Sequence, residues 1–154
     1  MPVIELQTNI QASIENVFNA ARSVDLHQKS TLSTQERAIS GRTEGLLELG
    51  ERTRWRAKHF GVWLELEVEI TEITIPDQFV DEMVDGNFKY MRHAHFFKAI
   101  DPDRTLMIDH FDFQSPFGLI GSLVDRWVLT NYLTEFLRTR NEFLKEYLEQ
   151  GFPD

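Results

Sequence analysis

The sequence contains no cysteine, and this absence excludes disulfide bonds, thiolate metal ligands and a thiol nucleophile. It also lacks a run of about 18 apolar residues, the length that a membrane-spanning helix needs. The opening residues MPVIELQTNI lack the basic and apolar regions of a secretory signal peptide. We therefore expect a cytoplasmic protein with no integral membrane association.

Positive charge is scarce as well. The chain has 16 Lys and Arg against 25 Asp and Glu, a formal net charge of −9. Binding to a nucleic acid or to an anionic membrane surface requires a concentrated basic surface, so we expect no nucleic-acid partner. The chain also has no phosphate-binding glycine loop and no nucleophile elbow, so nucleotide-dependent and serine-hydrolase chemistry are not indicated.

Aromatic residues, in contrast, are abundant, with 12 Phe among 154 residues. A chain of this length commonly forms one domain and buries roughly two-thirds of the surface that its unfolded form exposes. No linker, repeat or change in composition divides the chain. We expect a single domain over residues 1–154 with one aromatic-rich core.

The order of secondary-structure signals predicts an α+β fold. Residues 3–10 alternate like a strand, and Ser13 is a typical N-cap for the amphipathic pattern that follows. The polar segment 23–34 is compatible with a short helix and a loop. The remaining pattern predicts an antiparallel sheet of about six to seven strands and one long C-terminal helix, from about residue 118 to Gln150 with Gly151 at its end.

The segment ERTRWRAKHFGVWLELEVEI, residues 51–70, predicts a hairpin with a turn at Phe60-Gly61. Placing His59 opposite Val62 brings three opposite charges together across the strands: Arg56 with Glu65, Arg54 with Glu67 and Arg52 with Glu69. A slipped register would lose all three pairs, which favours this register. The face that carries these charges is expected to be solvated. The other face is apolar except for His59.

The segment HAHFF, residues 93–97, belongs to a second predicted hairpin with a three-residue turn at Asp101-Pro102-Asp103. In this register Arg92 faces Asp112 on the solvated side. The opposite side then carries Met91, His93, His95 and Phe97 against Phe113, Phe111, Asp109 and Met107, with His95 directly across from Asp109. Phe88, Tyr90 and Phe96 are expected on the solvated side.

The last helix carries an apolar stripe that includes Ile120, Val124 and Trp127. We expect this stripe to pack on the sheet as core, with lining of a cavity as a secondary role. The segment TRNEFLKEYLEQ, residues 139–150, is expected to form a solvated helix face with charge pairs.

The order of these segments resembles the START-like polyketide cyclase/dehydrase and lipid-transport superfamily, called SRPBCC. The resemblance rests on GRTEGLLELGERTRWRAKHFG, PDQFVDEMVDGNFKYMRHAHFF and MIDHFDFQSPFGLIG and covers nearly the whole chain. It implies a helix-grip fold, in which a curved antiparallel sheet wraps around the C-terminal helix and encloses a cavity. The superfamily includes binders, transporters and enzymes with no shared catalytic set, so no residue role follows from the resemblance.

Both registers place His59, His93, His95 and Asp109 on the concave side of the sheet, where the resemblance implies the cavity. The facing of Asp81 stays open, because Asp85-Gly86 is compatible with two turns of opposite register. One interpretation is a His/Asp network that satisfies itself in an aromatic core. A second is a ligand site, and a third is a general acid–base set for cyclisation or dehydration, in which Asp109 orients His95.

The ligand interpretation predicts a mostly apolar pocket with a few polar groups, which would hold a hydrophobic small molecule. Its predicted lining is Trp55, His59, Leu64, Leu66, Met91, His93, His95, Phe97, Met107, Asp109, Phe111, Phe113, Ile120, Val124 and Trp127. The enzymatic alternative is a cofactor-free polyketide cyclase or dehydratase that uses His95, Asp109, His93 and His59. A regulatory protein that acts through a protein partner is a further alternative.

A His-x-His pair with a nearby Asp and a third His is compatible with zinc or non-haem iron. The spacing lacks the tight multi-ligand pattern that makes metal motifs specific. From the sequence we therefore expect no metal and no cofactor.

Overall fold

The computed structural model describes residues 2–115 and 125–151, with side chains from residue 127 onward in the second range. Seven strands form one antiparallel sheet in the order β1-β7-β6-β5-β4-β3-β2. The strands are β1 (Val3–Ile10), β2 (Arg37–Gly41), β3 (Arg52–His59), β4 (Val62–Thr74), β5 (Gln78–Gly86), β6 (Tyr90–Asp101) and β7 (Arg104–Gln114). The helices are α1 (Ile14–Ala21), α2 (Val24–Ser30) and α3 (Thr130–Glu149). The α+β fold with a curved antiparallel sheet and a long C-terminal helix is confirmed.

Two serines start the short helices. The Ser13 hydroxyl accepts a hydrogen bond from the Asn16 amide and caps α1, as predicted. Ser23 caps α2 in the same way through the amide of Leu26. The ambiguous segment 23–34 is therefore α2 followed by a 3-10 turn.

The hairpin of β3 and β4 has the predicted register, with His59 opposite Val62 and Arg52 opposite Glu69. Its turn residues Phe60 and Gly61 have φ values of 53° and 76°, the geometry of a tight type I′ hairpin. Arg54 faces Glu67 across the strands, but its guanidinium pairs diagonally instead, at 2.6 Å from Glu65 and 2.9 Å from Asp85. Long side chains reach diagonal neighbours, so the register alone does not select the ion pair.

The register of β6 and β7 also matches the prediction, with His95 opposite Asp109 and Arg92 opposite Asp112. The turn is shorter than predicted, because Asp101 and Arg104 pair with each other and leave two residues in the turn. A bulge between Ala99 and Asp101 takes up the additional residue, which preserves the predicted facing.

The C-terminal helix lies against the sheet through Leu137, Leu144 and Leu148, which are buried. Gly151 follows it with φ 77°, as expected at a helix end. The predicted start near residue 118 lies outside the described residues. Asp125–Leu129 forms a π-helical turn rather than α-helix.

The end of this helix differs from the sequence prediction. Arg140 and Asn141 were expected on a solvated face, yet they are only 5% and 2% exposed. They follow Leu137 by three and four residues, so they lie on the same buried face. Across residues 2–115 and 125–151, no helix has both the length and the apolar character required to span a bilayer.

Gly41 should tolerate no side chain. A Cβ there would lie 2.2 Å from the carbonyl oxygen of Arg52, and its φ is 75°. Gly50 is a matched control, because its φ is 80° but nothing lies within 4 Å of the added atom. We expect Gly50→Ala to cost about 1 kcal/mol for the positive φ, and Gly41→Ala about 2 kcal/mol more because of the clash. Urea denaturation checks this, and equal losses would contradict it.

Candidate functional site

A cavity of about 400 Å³ lies between the concave face of the sheet and α3. Its wall is mainly apolar, with polar groups at a few positions. The strand residues in the wall are Trp55, Ala57, His59, Leu64, Glu65, Leu66, Val68, Asp81, Met91, His93 and Phe111. The helical and loop residues are His27, Glu36, Phe60, Asn87, Phe88, Ser115, Leu129, Tyr132, Leu133, Phe136, Leu137 and Arg140.

The structure places seven of the predicted lining residues in this wall: Trp55, His59, Leu64, Leu66, Met91, His93 and Phe111. Five others are buried but do not line the cavity: His95, Phe97, Met107, Asp109 and Phe113. The concave face is wider than the cavity, and α1 covers part of it. Phe18 of α1, for example, packs on Phe97 with ring centres 5.3 Å apart. Ile120 and Val124 lie outside the described residues.

Two predicted facings are wrong. Trp127 is 68% exposed and does not line the cavity. The π-helical turn that contains Trp127 changes the helical phase on which the prediction depended. Phe88 precedes β6 and lines the cavity instead of facing solvent, with its ring centre 5.8 Å from that of Phe113.

Asp109 is the centre of a buried polar cluster and is itself 0% exposed. Its Oδ1 accepts hydrogen bonds from His93 Nε2 at 2.7 Å and from the Arg140 guanidinium at 2.9 Å. Its Oδ2 accepts one from Asn141 Nδ2 at 2.7 Å. The helix α3 therefore anchors a carboxylate that β7 presents, and this contact joins the helix to the sheet.

Asp81 and His95 extend the same cluster. Asp81 lies opposite His93 on the neighbouring strand, so its facing, left open by the sequence, is towards the concave side. His95 Nε2 lies 2.8 Å from Asp81 Oδ2. His95 Nδ1 lies 3.3 Å from Asp109 Oδ1 but makes no well-formed hydrogen bond. We call these six residues the Asp109 cluster: Asp81, His93, His95, Asp109, Arg140 and Asn141.

The two histidines of this cluster stack with ring centres 3.7 Å apart, and their pKa values are shifted in opposite directions. Burial, reinforced by the nearby His95, lowers the pKa of His93 to about 4, so His93 is neutral at pH 7. Burial alone would also lower the pKa of His95, but the carboxylates of Asp109 and Asp81 outweigh it and raise that pKa. Of the stacked pair, His95 is therefore the ring that binds a second proton more readily.

The carboxylates are held in their charged form. Burial would raise the pKa of Asp109, but Arg140 and the histidines outweigh burial and hold that pKa well below its usual value. The pKa of Asp81 is likewise lowered, because the His95 contact outweighs burial. Two carboxylates and one permanent cation, Arg140, thus meet in the cluster, and their excess negative charge is what raises the pKa of His95.

A second polar group lies at the other end of the cavity. His59 Nδ1 lies 2.6 Å from the Tyr132 hydroxyl. His27 Nε2 lies 3.0 Å from Glu36, and the His27 ring packs on Trp55. Burial lowers the pKa of His59, partly opposed by Glu36. His59 therefore belongs to a site distinct from the Asp109 cluster, although the sequence grouped it with His93 and His95.

Sequence reasoning did not single out Arg140, Asn141, His27 or Glu36. A signal existed for the first two, because two polar residues interrupt the Leu137–Leu144–Leu148 stripe at the positions that should be buried. No comparable signal marks His27 and Glu36, which lie in or just after the segment that the sequence left ambiguous.

No protein-family model matches the chain, and no curated protein matches it. Solved structures share its fold. A protein from Thermus thermophilus superposes with a TM-score of 0.79 at 15% identity, over 99% of this chain and 100% of that one. A START superfamily protein from Mycobacterium smegmatis has a TM-score of 0.73 at 14% identity, over 96% and 97% of the two chains. Ginseng major latex-like protein 151 from Panax ginseng gives 0.69 at 17% identity, also over 96% and 97%.

At these identities the similarity concerns the fold. The curved seven-stranded sheet, the long C-terminal helix and the cavity between them agree with the fold expected from the sequence. The chain therefore has a helix-grip fold, which it shares with the START superfamily protein from Mycobacterium smegmatis.

Proposed function

We propose that the protein binds a hydrophobic small molecule in the cavity, for carriage or sensing, and that this molecule has a hydrogen-bonding group at each end. The observation that carries the proposal is the division of the cavity wall. Its middle is apolar, and its volume of about 400 Å³ is that of a small-molecule site. Polar side chains stand at the two ends.

The spacing of the two ends follows from α3. Tyr132, beside His59, and Arg140, in the Asp109 cluster, both line the cavity. They are eight positions apart in sequence, which corresponds to about 12 Å along the helix. Leu133, Phe136 and Leu137 lie between them and face the cavity. A ligand that satisfies both ends therefore needs an apolar body about 12 Å long.

Each end offers its own hydrogen-bonding groups. His93 lines the cavity and contacts Asp109 through Nε2, so Nδ1 is the nitrogen that we assign to the ligand. Asp81 also lines the cavity, and its side chain keeps 18% exposure. At the other end the Tyr132 hydroxyl and His59 can bind a hydroxyl or carbonyl group.

The turn between β3 and β4 is the proposed point of entry. Phe60 lines the cavity and is 63% exposed, so the cavity wall reaches the surface there. Asn87, next to Gly86, belongs to the same wall. Glycine placement in the sequence also predicts that the loop near Gly86 or residues 116–121 move to open the mouth, and residues 116–121 lie outside the described residues.

A series of linear α,ω-diols tests whether the ligand needs a hydrogen-bonding group at each end. The assay measures how each diol displaces the dye 8-anilino-1-naphthalenesulfonate from the protein. We expect affinity to be highest where the two oxygens are about 12 Å apart and to fall for longer diols. Monofunctional alcohols should bind more tightly with every added carbon until the cavity is full, because only apolar burial changes. The absence of any displacement would contradict ligand binding, and an unbroken rise for the diols would contradict the second polar end.

A cavity-filling variant provides the structural test. Leu133→Trp should lower dye affinity at least about tenfold, about 1.4 kcal/mol, because the larger ring occupies the apolar middle. Val128→Trp is the matched control, since Val128 is 52% exposed and does not line the cavity. Equal affinities for the two variants would place the dye outside the cavity.

The enzymatic alternative, a cofactor-free cyclase or dehydratase, is favoured by one observation. Asp109 orients His93, which lines the cavity, whereas His95 does not line it. The acid–base group in this alternative is therefore His93 rather than His95. Conversion of an offered polyketide-like compound, lost in His93→Gln, would support it. A co-purifying protein would instead support the regulatory alternative.

The proposal treats residues 1–154 as one ligand-binding domain that acts in the cytoplasm without a nucleic-acid partner. These points come from composition and charge and remain predictions. Native mass spectrometry of gently purified protein checks the ligand directly, since a bound hydrophobic molecule would add a mass that disappears on denaturation.

A further inference from the structure

We propose that Asp81, His93 and His95 form a binding site for a divalent transition-metal ion at the Asp109 end of the cavity. One ligand atom from each of the three residues lies within 4.8 Å of the other two. Two imidazoles and one carboxylate are a ligand set that zinc and ferrous iron accept. In the sequence, His59 was the candidate for the third histidine of a metal site. His59 instead lies beside Tyr132 at the other end of the cavity, and Asp81 is the third ligand of the proposed site.

The positions of the ring nitrogens support this site. His93 Nε2 is bound to Asp109, which leaves Nδ1 as its free nitrogen. His95 Nδ1 faces Asp109 at 3.3 Å, which leaves Nε2 on the Asp81 side. Asp109 therefore binds one nitrogen of the His93 ring and lies close to one nitrogen of the His95 ring, and the other nitrogen of each ring is the one we assign to a metal. Metal-binding histidines usually donate their second N–H to a carboxylate in this manner.

The outer contacts of Asp109 make it a fixed support. Arg140 and Asn141 occupy its remaining acceptor positions at 2.9 Å and 2.7 Å. This arrangement orients the His93 ring through its hydrogen bond to Asp109, and such outer partners commonly change metal affinity by about 10–100-fold. A self-satisfied buried network would also not leave His95 Nδ1 buried without a hydrogen-bond partner among the described residues.

Charge and access favour a cation at this point. Within the cluster, two carboxylates face one permanent cation, Arg140. A divalent ion would displace a proton from the histidine pair. Asp81 and His93 line the cavity, so a fourth coordination position would open into it. Sites with three protein ligands and one open position are the kind that bind a further small ligand on the metal.

Formation of the site needs only a small adjustment. Zinc bonds to nitrogen and carboxylate oxygen are about 2.0–2.2 Å long, so ligand atoms around one ion lie about 3–4 Å apart. His95 Nε2 and Asp81 Oδ2 are 2.8 Å apart and would move slightly apart on binding an ion. The most distant pair of ligand atoms, which are within 4.8 Å of each other, would move closer together.

The test is metal uptake by the full chain after dialysis against a chelator and then against buffer. Addition of Co²⁺ should produce visible ligand-field absorption, and dialysis against Zn²⁺ should leave one ion per chain by elemental analysis. Asp81→Asn and His93→Gln should each lower Zn²⁺ affinity at least 100-fold. His110→Gln is the control, because His110 lies on the opposite face of β7 and should leave uptake unchanged.

Circular dichroism of each variant separates loss of the site from loss of the fold. Less than a tenth of an equivalent of Zn²⁺ in folded wild-type protein would overturn the proposal. Equal uptake by His93→Gln and His110→Gln would also overturn it, because the ion would then bind elsewhere. The dye and diol assays are run with chelator present and therefore test ligand binding without a metal. Ligand binding and metal binding can thus each fail independently of the other.

Discussion

Replacing Asp109 with Ala should lower the free energy of unfolding by about 3–5 kcal/mol, the cost of removing one partner from a buried ion pair. Asp109 is 0% exposed, and Arg140 is 5% exposed. Without the carboxylate, the Arg140 charge remains buried, and the N–H groups of His93 and Asn141 lose their acceptor. Urea denaturation at pH 7 with chelator present measures the loss without any contribution from a metal.

Asp112→Ala provides the control for this variant. Asp112 lies on the other face of β7, opposite Arg92, and its removal should change stability by less than about 0.5 kcal/mol. A loss below about 1 kcal/mol for Asp109→Ala would contradict the buried pair.

A double variant separates the charge from the packing. Asp109→Leu alone should be strongly destabilising, because the buried Arg140 loses its paired carboxylate and keeps, among the described residues, only the amide oxygen of Asn141 as an acceptor. Asp109→Leu combined with Arg140→Met should be more stable than Asp109→Leu, since apolar residues of similar size can replace a buried pair with little loss. If the second substitution lowers stability further, the cost comes from lost packing rather than from the unpaired charge.

The sheet was predictable because its signals are local and have a period of two. The charges of residues 52–69 indicate the register of one hairpin, and the turn residues 101–103 indicate that of another, in which His95 lies opposite Asp109. The bulge near Ala99 changed the length of a turn without changing which side chains share a face.

The part of the site on the last helix was harder to predict. Asn141 and Asp109 are 32 residues apart, and their contact depends on where α3 crosses the sheet. The π-helical turn moved Trp127 away from the predicted stripe, because its winding differs from 3.6 residues per turn. A side chain on the concave face of the sheet also does not necessarily line the cavity, since α1 covers Phe97.

Phe113 and Phe111 provide a direct test of where the cavity wall lies. Both were predicted to line the cavity, and both lie on the concave face of β7. Phe113 is 0% exposed and packs against Phe88 and Phe111, whereas Phe111 lines the cavity. Phe113→Ala should cost about 3–5 kcal/mol, because it opens a void in close-packed surroundings.

Phe111→Ala should cost about 1–2 kcal/mol less than Phe113→Ala, because one side of the Phe111 ring already faces empty space and has fewer contacts to lose. The same truncation enlarges the cavity beside His93, whose ring centre is 5.1 Å from that of Phe111. Phe111→Ala should therefore bind bulkier dyes than the wild type, while Phe113→Ala should keep the wild-type preference. Urea denaturation and dye titration on both variants check the two effects. Equal stability losses together with unchanged dye preference would mean that Phe111 belongs to the packed core rather than to the wall of the cavity.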